Sequence, residues 1–147
     1  MNKIIYFICA LLICSVSFAD KNMKIGSKGK SSDVTRTIIV KMYDNYYEPN
    51  TFNIKKGETV KFEVKNLGEL VHEFNIANPM MHIKHQPEME LMVENEILLG
   101  DRIDKDKMQK MAAMDKSMGH SHSNSVLLAP KEEGTLIWKF ENAVNIE

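Results

Sequence analysis

Eight of the chain's 11 methionines and four of its five histidines fall between Met80 and His122. Thioether sulfur and imidazole nitrogen are the neutral side-chain donors that suit copper: sulfur for the soft cuprous ion, nitrogen for the cupric ion. Met80, Met81, His82 and His85 form one group. Met89 and Met92 stand at i,i+3, on one helical face, as do His82 and His85. Met108, Met111, Met114 and Met118 follow, and on a helix they fall within roughly 120° of arc. His120 and His122 close the segment; in extended backbone a His-x-His puts both rings on one side. Such pairs also bind zinc or nickel, so the abundance of methionine carries the copper reading. A methionine stripe at helical spacing usually packs on a core. Two features tilt this one toward metal donors: no Leu or Val lies between Asp104 and Met118, and Gly119-His120-Ser121-His122 follows directly.

Donors of this kind need a scaffold, and period-2 alternation supplies it. Ile38, Val40 and Met42 alternate with Ile39, Lys41 and Tyr43. Phe52 and Ile54 precede the turn Lys55-Lys56-Gly57-Glu58, after which Val60, Phe62 and Val64 alternate with Lys61, Glu63 and Lys65. One wet face points to an antiparallel sheet. Asn66-Leu67-Gly68-Glu69 is a further turn, and His72, Phe74 and Ile76 share one side of the next strand. Pro79 ends it. The pattern returns at Val126-Leu127-Leu128 and at Leu136, Trp138 and Phe140. About six short strands separated by turns predict an all-β sandwich or barrel. Within the intervening segment Pro87 marks a division, and Asp101 to Met118 reads as a helix stopped by Gly119.

The first 19 residues read as a signal peptide. Lys3 gives the positive end, Ile4 to Phe18 the apolar run, and Ser17-Phe18-Ala19 the small residues before a cut. That predicts a periplasmic or secreted protein with no membrane contact after cleavage. Cleavage removes Cys9 and Cys14, the only cysteines, and with them any disulfide or thiolate ligand. Residues 20–33 are polar and rich in Gly, Lys and Ser, as in a flexible leader. With Lys3 gone, 18 Lys and Arg face 20 Asp and Glu. That near balance gives no argument for a nucleic-acid partner. No Gly-x-Ser-x-Gly, phosphate loop or His-Glu-x-x-His occurs, and the acidic residues read as solvated faces, so no enzyme is expected.

Several segments resemble the cupredoxins, closest to exported plastocyanin- and azurin-like proteins with a Met/His-rich insertion. They are Tyr46-Tyr47-Glu48-Pro49-Asn50-Thr51-Phe52, Ile54-Lys55-Lys56-Gly57-Glu58-Thr59-Val60-Lys61-Phe62, Asn66-Leu67-Gly68 and Val71-His72-Glu73-Phe74. Leu128-Ala129-Pro130 and Gly134-Thr135-Leu136-Ile137-Trp138-Lys139-Phe140 continue the likeness, which spans Val34 to Phe140. The resemblance implies a Greek-key β-sandwich over residues 34–147, with the insertion at about 79–123. It implies one copper whose first ligand matches His72. The family's other ligands, a Cys, a second His and a Met on a loop near the C-terminus, have no match. They follow a strand that should begin near Asn145-Ile146-Glu147, so a C-terminally incomplete sandwich is expected, with Leu136 to Phe140 facing a gap beside an unpaired edge.

Three functions compete at this point. The resemblance implies electron transfer or copper carriage, with a redox or copper-transfer protein as partner. The Met/His segment alone suggests a copper chaperone or store. An exposed sheet edge would suit a metal-free interaction module.

Overall fold

A computed structural model describes residues 24–146; the expected signal segment, Cys9 and Cys14 included, lies outside them. The alternating segments all form strands. The larger sheet has the order β1 (Gly26–Lys28), β8 (Glu133–Phe140), β5 (Thr59–Asn66), β2 (Arg36–Met42) and β3 (Tyr47–Glu48). Two smaller pairs complete the β structure: β4 (Phe52–Ile54) with β9 (Val144–Ile146), and β6 (His72–Asn75) with β7 (Ser125–Leu128). The apolar half of each alternation meets in one core. Val40, Met42, Val60, Phe62, Val64, Leu136, Trp138 and Phe140 from the large sheet pack against Ile54, Phe74 and Leu128 from the small pairs. Phe62 lies at the centre, with ring centroids 5.2 Å from Phe74, 5.6 Å from Phe52 and 6.3 Å from Phe140. This is an all-β sandwich, as expected.

Four local expectations differ from the structure. First, β2 and β5 pair in parallel, with Ile38 opposite Phe62 and Val40 opposite Val64. A wet face does not report strand direction, and Tyr43 to Glu58 is long enough to cross over between them. Second, part of the expected leader is a strand. Gly26–Lys28 pairs with Trp138–Phe140, and Ile25 packs on the core. Gly26 permits this, because a Cβ there would lie 2.1 Å from the Lys139 carbonyl oxygen. Third, β8 faces no gap. It lies between β1 and β5, and its inward side chains Leu136, Trp138 and Phe140 are buried.

Fourth, the insertion holds two helices, α1 (Pro79–Glu94) and α2 (Lys105–Ala112), then a 3-10 turn at Lys116–Gly119. Pro87 does not divide the segment; it lies inside α1. The start is strongly set: Asn78 caps the helix by accepting from the Met81 N–H at 2.8 Å, and Pro79 occupies the first turn. The helix expected over Asp101 to Met118 is confined to eight residues. Asp104 caps it through the Lys107 N–H, while the residues before it turn back so that Leu98 bridges Ile103.

A second apolar cluster lies under the insertion. Met92, Ile97 and Met118 are buried there, with Met89, Leu98, Met108, Met111 and Leu127 packed around them. The methionine stripe therefore serves packing at Met108, Met111 and Met118. Met114 points away, 81% exposed.

Candidate metal centre

Helix α1 places Met81, His85, Glu88 and Met92 at i, i+4, i+7 and i+11, within roughly 60° of one face. The lower end of that face, Met92, is buried in the second apolar cluster. The upper end opens on a cleft of about 250 Å³ lined by Met81, Lys84, His85, Glu88, His122 and Asn124, among others. Strand β6 supplies the opposite wall. Phe74 is buried in the sandwich core, so alternation turns Glu73 and Asn75 toward the insertion. The Tyr47 hydroxyl donates to the Glu73 carbonyl oxygen at 2.8 Å and fixes the strand there.

The segment before β7 brings in the remaining donors. Asn124 ties it to β6: its Nδ2 donates to Asn75 Oδ1 at 2.9 Å and to the Ile76 carbonyl at 3.1 Å. The Ile76 N–H returns a bond to the Asn124 carbonyl at 2.8 Å. His120 adopts a left-handed backbone, φ 44°, which folds its ring inward instead of along an extended His-x-His. Histidine enters that region more readily than most residues, at some cost in strain.

Three imidazoles meet as a result. The ring centroids of His85, His120 and His122 lie 4.9–5.1 Å apart. One ligand atom from each lies within 4.8 Å of the others. The side chain of His120 is 2% exposed and that of His122 36%. Two carboxylates brace the group. Glu73 reaches His85 Nε2 at 3.3 Å and His120 Nε2 at 3.2 Å. Glu88 reaches His122 Nε2 at 2.9 Å and His85 Nδ1 at 3.7 Å. His85 Nε2 and both nitrogens of His120 are nevertheless buried without a hydrogen bond of good geometry. Burial holds the His120 pKa below its ordinary value; Glu73 and Glu88 oppose that shift, and His122 and His85 add to it. A neutral imidazole with an uncommitted lone pair is the form that binds a metal. Buried, unpaired nitrogens are costly, so the donor set fits a cation of copper or zinc type, with imidazole and carboxylate ligands.

The model of the cupredoxin-like domain matches residues 4–103. The chain belongs to that family. Two relatives, each named copper-resistant cuproprotein CopI, agree over much of its length. The protein of Pseudomonas aeruginosa is 37% identical over 136 residues, covering 83% of this chain and 71% of its own. That of Rubrivivax gelatinosus is 26% identical over 129 residues, covering 87% of this chain and 64% of its own. No solved structure gives a significant match.

For a cupredoxin, the position of His72 is notable. Its Nε2 lies 2.9 Å from Asp44 Oδ1, which also accepts from the Leu70 N–H. The His72 contact and the backbone N–H groups of Glu69 and Leu70 hold the Asp44 carboxyl below its ordinary pKa. Among the described residues His72 enters no group of three potential ligands, and these residues include no cysteine. They therefore do not fit a thiolate-copper centre.

Of the other residues singled out by spacing, His85, His120 and His122 converge and Met81 lines their cleft. His82 lies across α1 in a separate cleft with Tyr46, Tyr47 and Phe52. Met80 is 41% exposed. Met89, Met92, Met108, Met111 and Met118 pack together, and Met114 stands free of them. Sequence reasoning missed Glu73 and Glu88 by treating acidic residues as solvated. The signals were present: Glu88 stands at i+3 from His85, and Glu73 alternates with buried Phe74.

Proposed function

We propose that this chain is an exported copper carrier that binds one copper ion through His85, His120 and His122, with Glu73 and Glu88 beside it. The observation that carries the reading is the meeting of three imidazoles, two of which, His85 and His120, have buried nitrogens without a good hydrogen bond. Membership of the cupredoxin-like family and the copper-resistant relatives support copper over zinc as cargo. Residues 20–147 contain no cysteine, so the binding proposed here uses no thiolate. The copper supplies a Lewis-acidic, redox-active centre when bound; the chain's part is to hold and release it. The imidazoles and carboxylates contact one another at 2.9–3.7 Å, so binding an ion would exchange those contacts for metal bonds. Such rearrangement suits uptake and release better than electron transfer, which works best when the ligands stay still in both oxidation states. The signal pattern supports export, and no described helix is long and apolar enough to cross a membrane.

Alanine at His85, His120 and His122, singly and together, tests the reading by competition titration with copper. Each single change should lower affinity at least about tenfold, since loss of even a ligand's outer-shell partner costs about that much, with no intense blue colour in any sample. Unchanged affinity in the triple variant would overturn the proposal.

A further inference from the structure

Thioether sulfur suits the cuprous ion, yet five of the insertion's eight methionines are occupied in the second apolar cluster. What surrounds the three imidazoles is different: two carboxylates, from Glu73 and Glu88, whose side chains are 16% and 15% exposed. We infer that the centre is selective for the cupric ion, and that Glu73 and Glu88 set that selectivity. The inference rests on the copper site proposed above.

Charge decides the matter first. As ligands three imidazoles are neutral and the two carboxylates that touch them carry a charge of −2; Lys84 lines the same cleft, but it is exposed and solvent screens its charge. A divalent cation neutralises this, whereas a monovalent one leaves a partly buried negative charge. Both carboxylates approach the imidazole nitrogens at 2.9–3.7 Å, so their charges bear directly on any ion held there. Unit charges at such range interact strongly even in a moderately polar site. The extra unit of charge on the cupric ion is therefore worth about tenfold to a hundredfold in relative affinity per carboxylate. Donor type acts in the same direction, because imidazole and carboxylate suit the cupric ion and thioether the cuprous. Met81 lines the cleft beside His85 and His122, and Met108, which also packs in the second apolar cluster, lines another beside His120 and His122; set against three imidazoles and two carboxylates, these sulfurs are a thin set for the cuprous ion.

The two carboxylates also differ in what they hold. Glu73 sits on a strand fixed by Tyr47 and spans His85 and His120. Glu88 sits on the helix that carries His85 and spans His85 and His122. Neither is needed for the core, so glutamine at either position keeps shape while removing charge.

The test compares wild type, Glu73→Gln, Glu88→Gln and the double variant. Cupric salt in air and cuprous salt under anaerobic conditions are titrated against chelators of known affinity. The copper reduction potential of each loaded protein gives an independent reading. Wild type should favour the cupric ion. Each glutamine should cut the cupric-to-cuprous affinity ratio about tenfold or more and raise the potential by about 59 mV per tenfold. Circular dichroism and metal-free melting confirm folding, and the single variants suffice should the double variant not fold. Equal weakening of both ions would assign the carboxylates to positioning alone and overturn the inference, leaving the copper site intact. A cuprous preference in wild type, lost in Met81→Leu, would overturn it too. Failure of wild type to bind either ion would overturn both this inference and the copper site.

Discussion

Replacing Met108, Met111 and Met118 together by leucine separates two roles that methionine can play. Leucine preserves volume and apolarity and removes sulfur. All three side chains belong to the cluster around Met92 and Ile97, so each change should cost less than about 1.5 kcal/mol. Truncation should behave differently. Met118→Ala empties a buried site and should cost about 2–5 kcal/mol. At about 3–5 °C per kcal/mol for a domain of this size, the melting temperature should fall by roughly 6–25 °C. Met114, 81% exposed, gives the control: alanine there should change stability by no more than about 0.5 kcal/mol. Urea unfolding of the metal-free chain measures these costs, and competition titration measures copper affinity in the same samples. The leucine triple variant should keep copper affinity within about threefold, since a change under ~0.7 kcal/mol is expected where no ligand is lost. A folded, equally stable leucine variant that lost about tenfold or more in copper affinity would show that the sulfurs bind the ion, and would refute the packing argument.

Three further outcomes follow from the same geometry. The folded-state pKa of His120 lies below 6.5 because the ring is buried. As pH falls below that value the unfolded chain takes up the proton first, so metal-free stability is full above it and drains away toward the depressed folded pKa. The stability difference between wild type and His120→Gln should therefore shrink between pH 7.5 and pH 5 in urea titrations, and a constant difference would contradict the assignment. Asn124→Ala cuts the two side-chain bonds that tie the histidine segment to β6; copper affinity should fall about 10- to 100-fold with all ligands present, and an unchanged value would mean the segment is held by other contacts. His72→Gln should leave copper affinity within about threefold, because that ring is committed to Asp44, and a larger loss would restore it as a ligand.

The sandwich was legible because its strands obey alternation residue by residue. Val60, Phe62 and Val64, read as one face, are all buried around the same core. Strand direction was not legible, since a wet face looks alike in parallel and antiparallel pairs, and β2 and β5 pair in parallel. Gly26 and Ile25 were lost in a polar segment because close backbone approach leaves only a glycine as its sign. The centre was half legible. His85, His120 and His122 were named by type, but their convergence depends on a helix that continues through Pro87 and on a left-handed His120, neither of which spacing reveals. Glu73 and Glu88 were invisible because an acidic residue in sequence carries no mark of burial. The methionines are ambiguous in sequence for a physical reason: one flexible side chain serves both as soft donor and as filler for an irregular core.

X-ray absorption on the copper-loaded chain addresses the site itself. The first shell should consist of nitrogen and oxygen scatterers, with the outer-shell pattern of three imidazoles that falls to two when His122 is replaced by alanine. A first shell dominated by sulfur, or an imidazole pattern indifferent to that replacement, would place the copper elsewhere and contradict the centre described above.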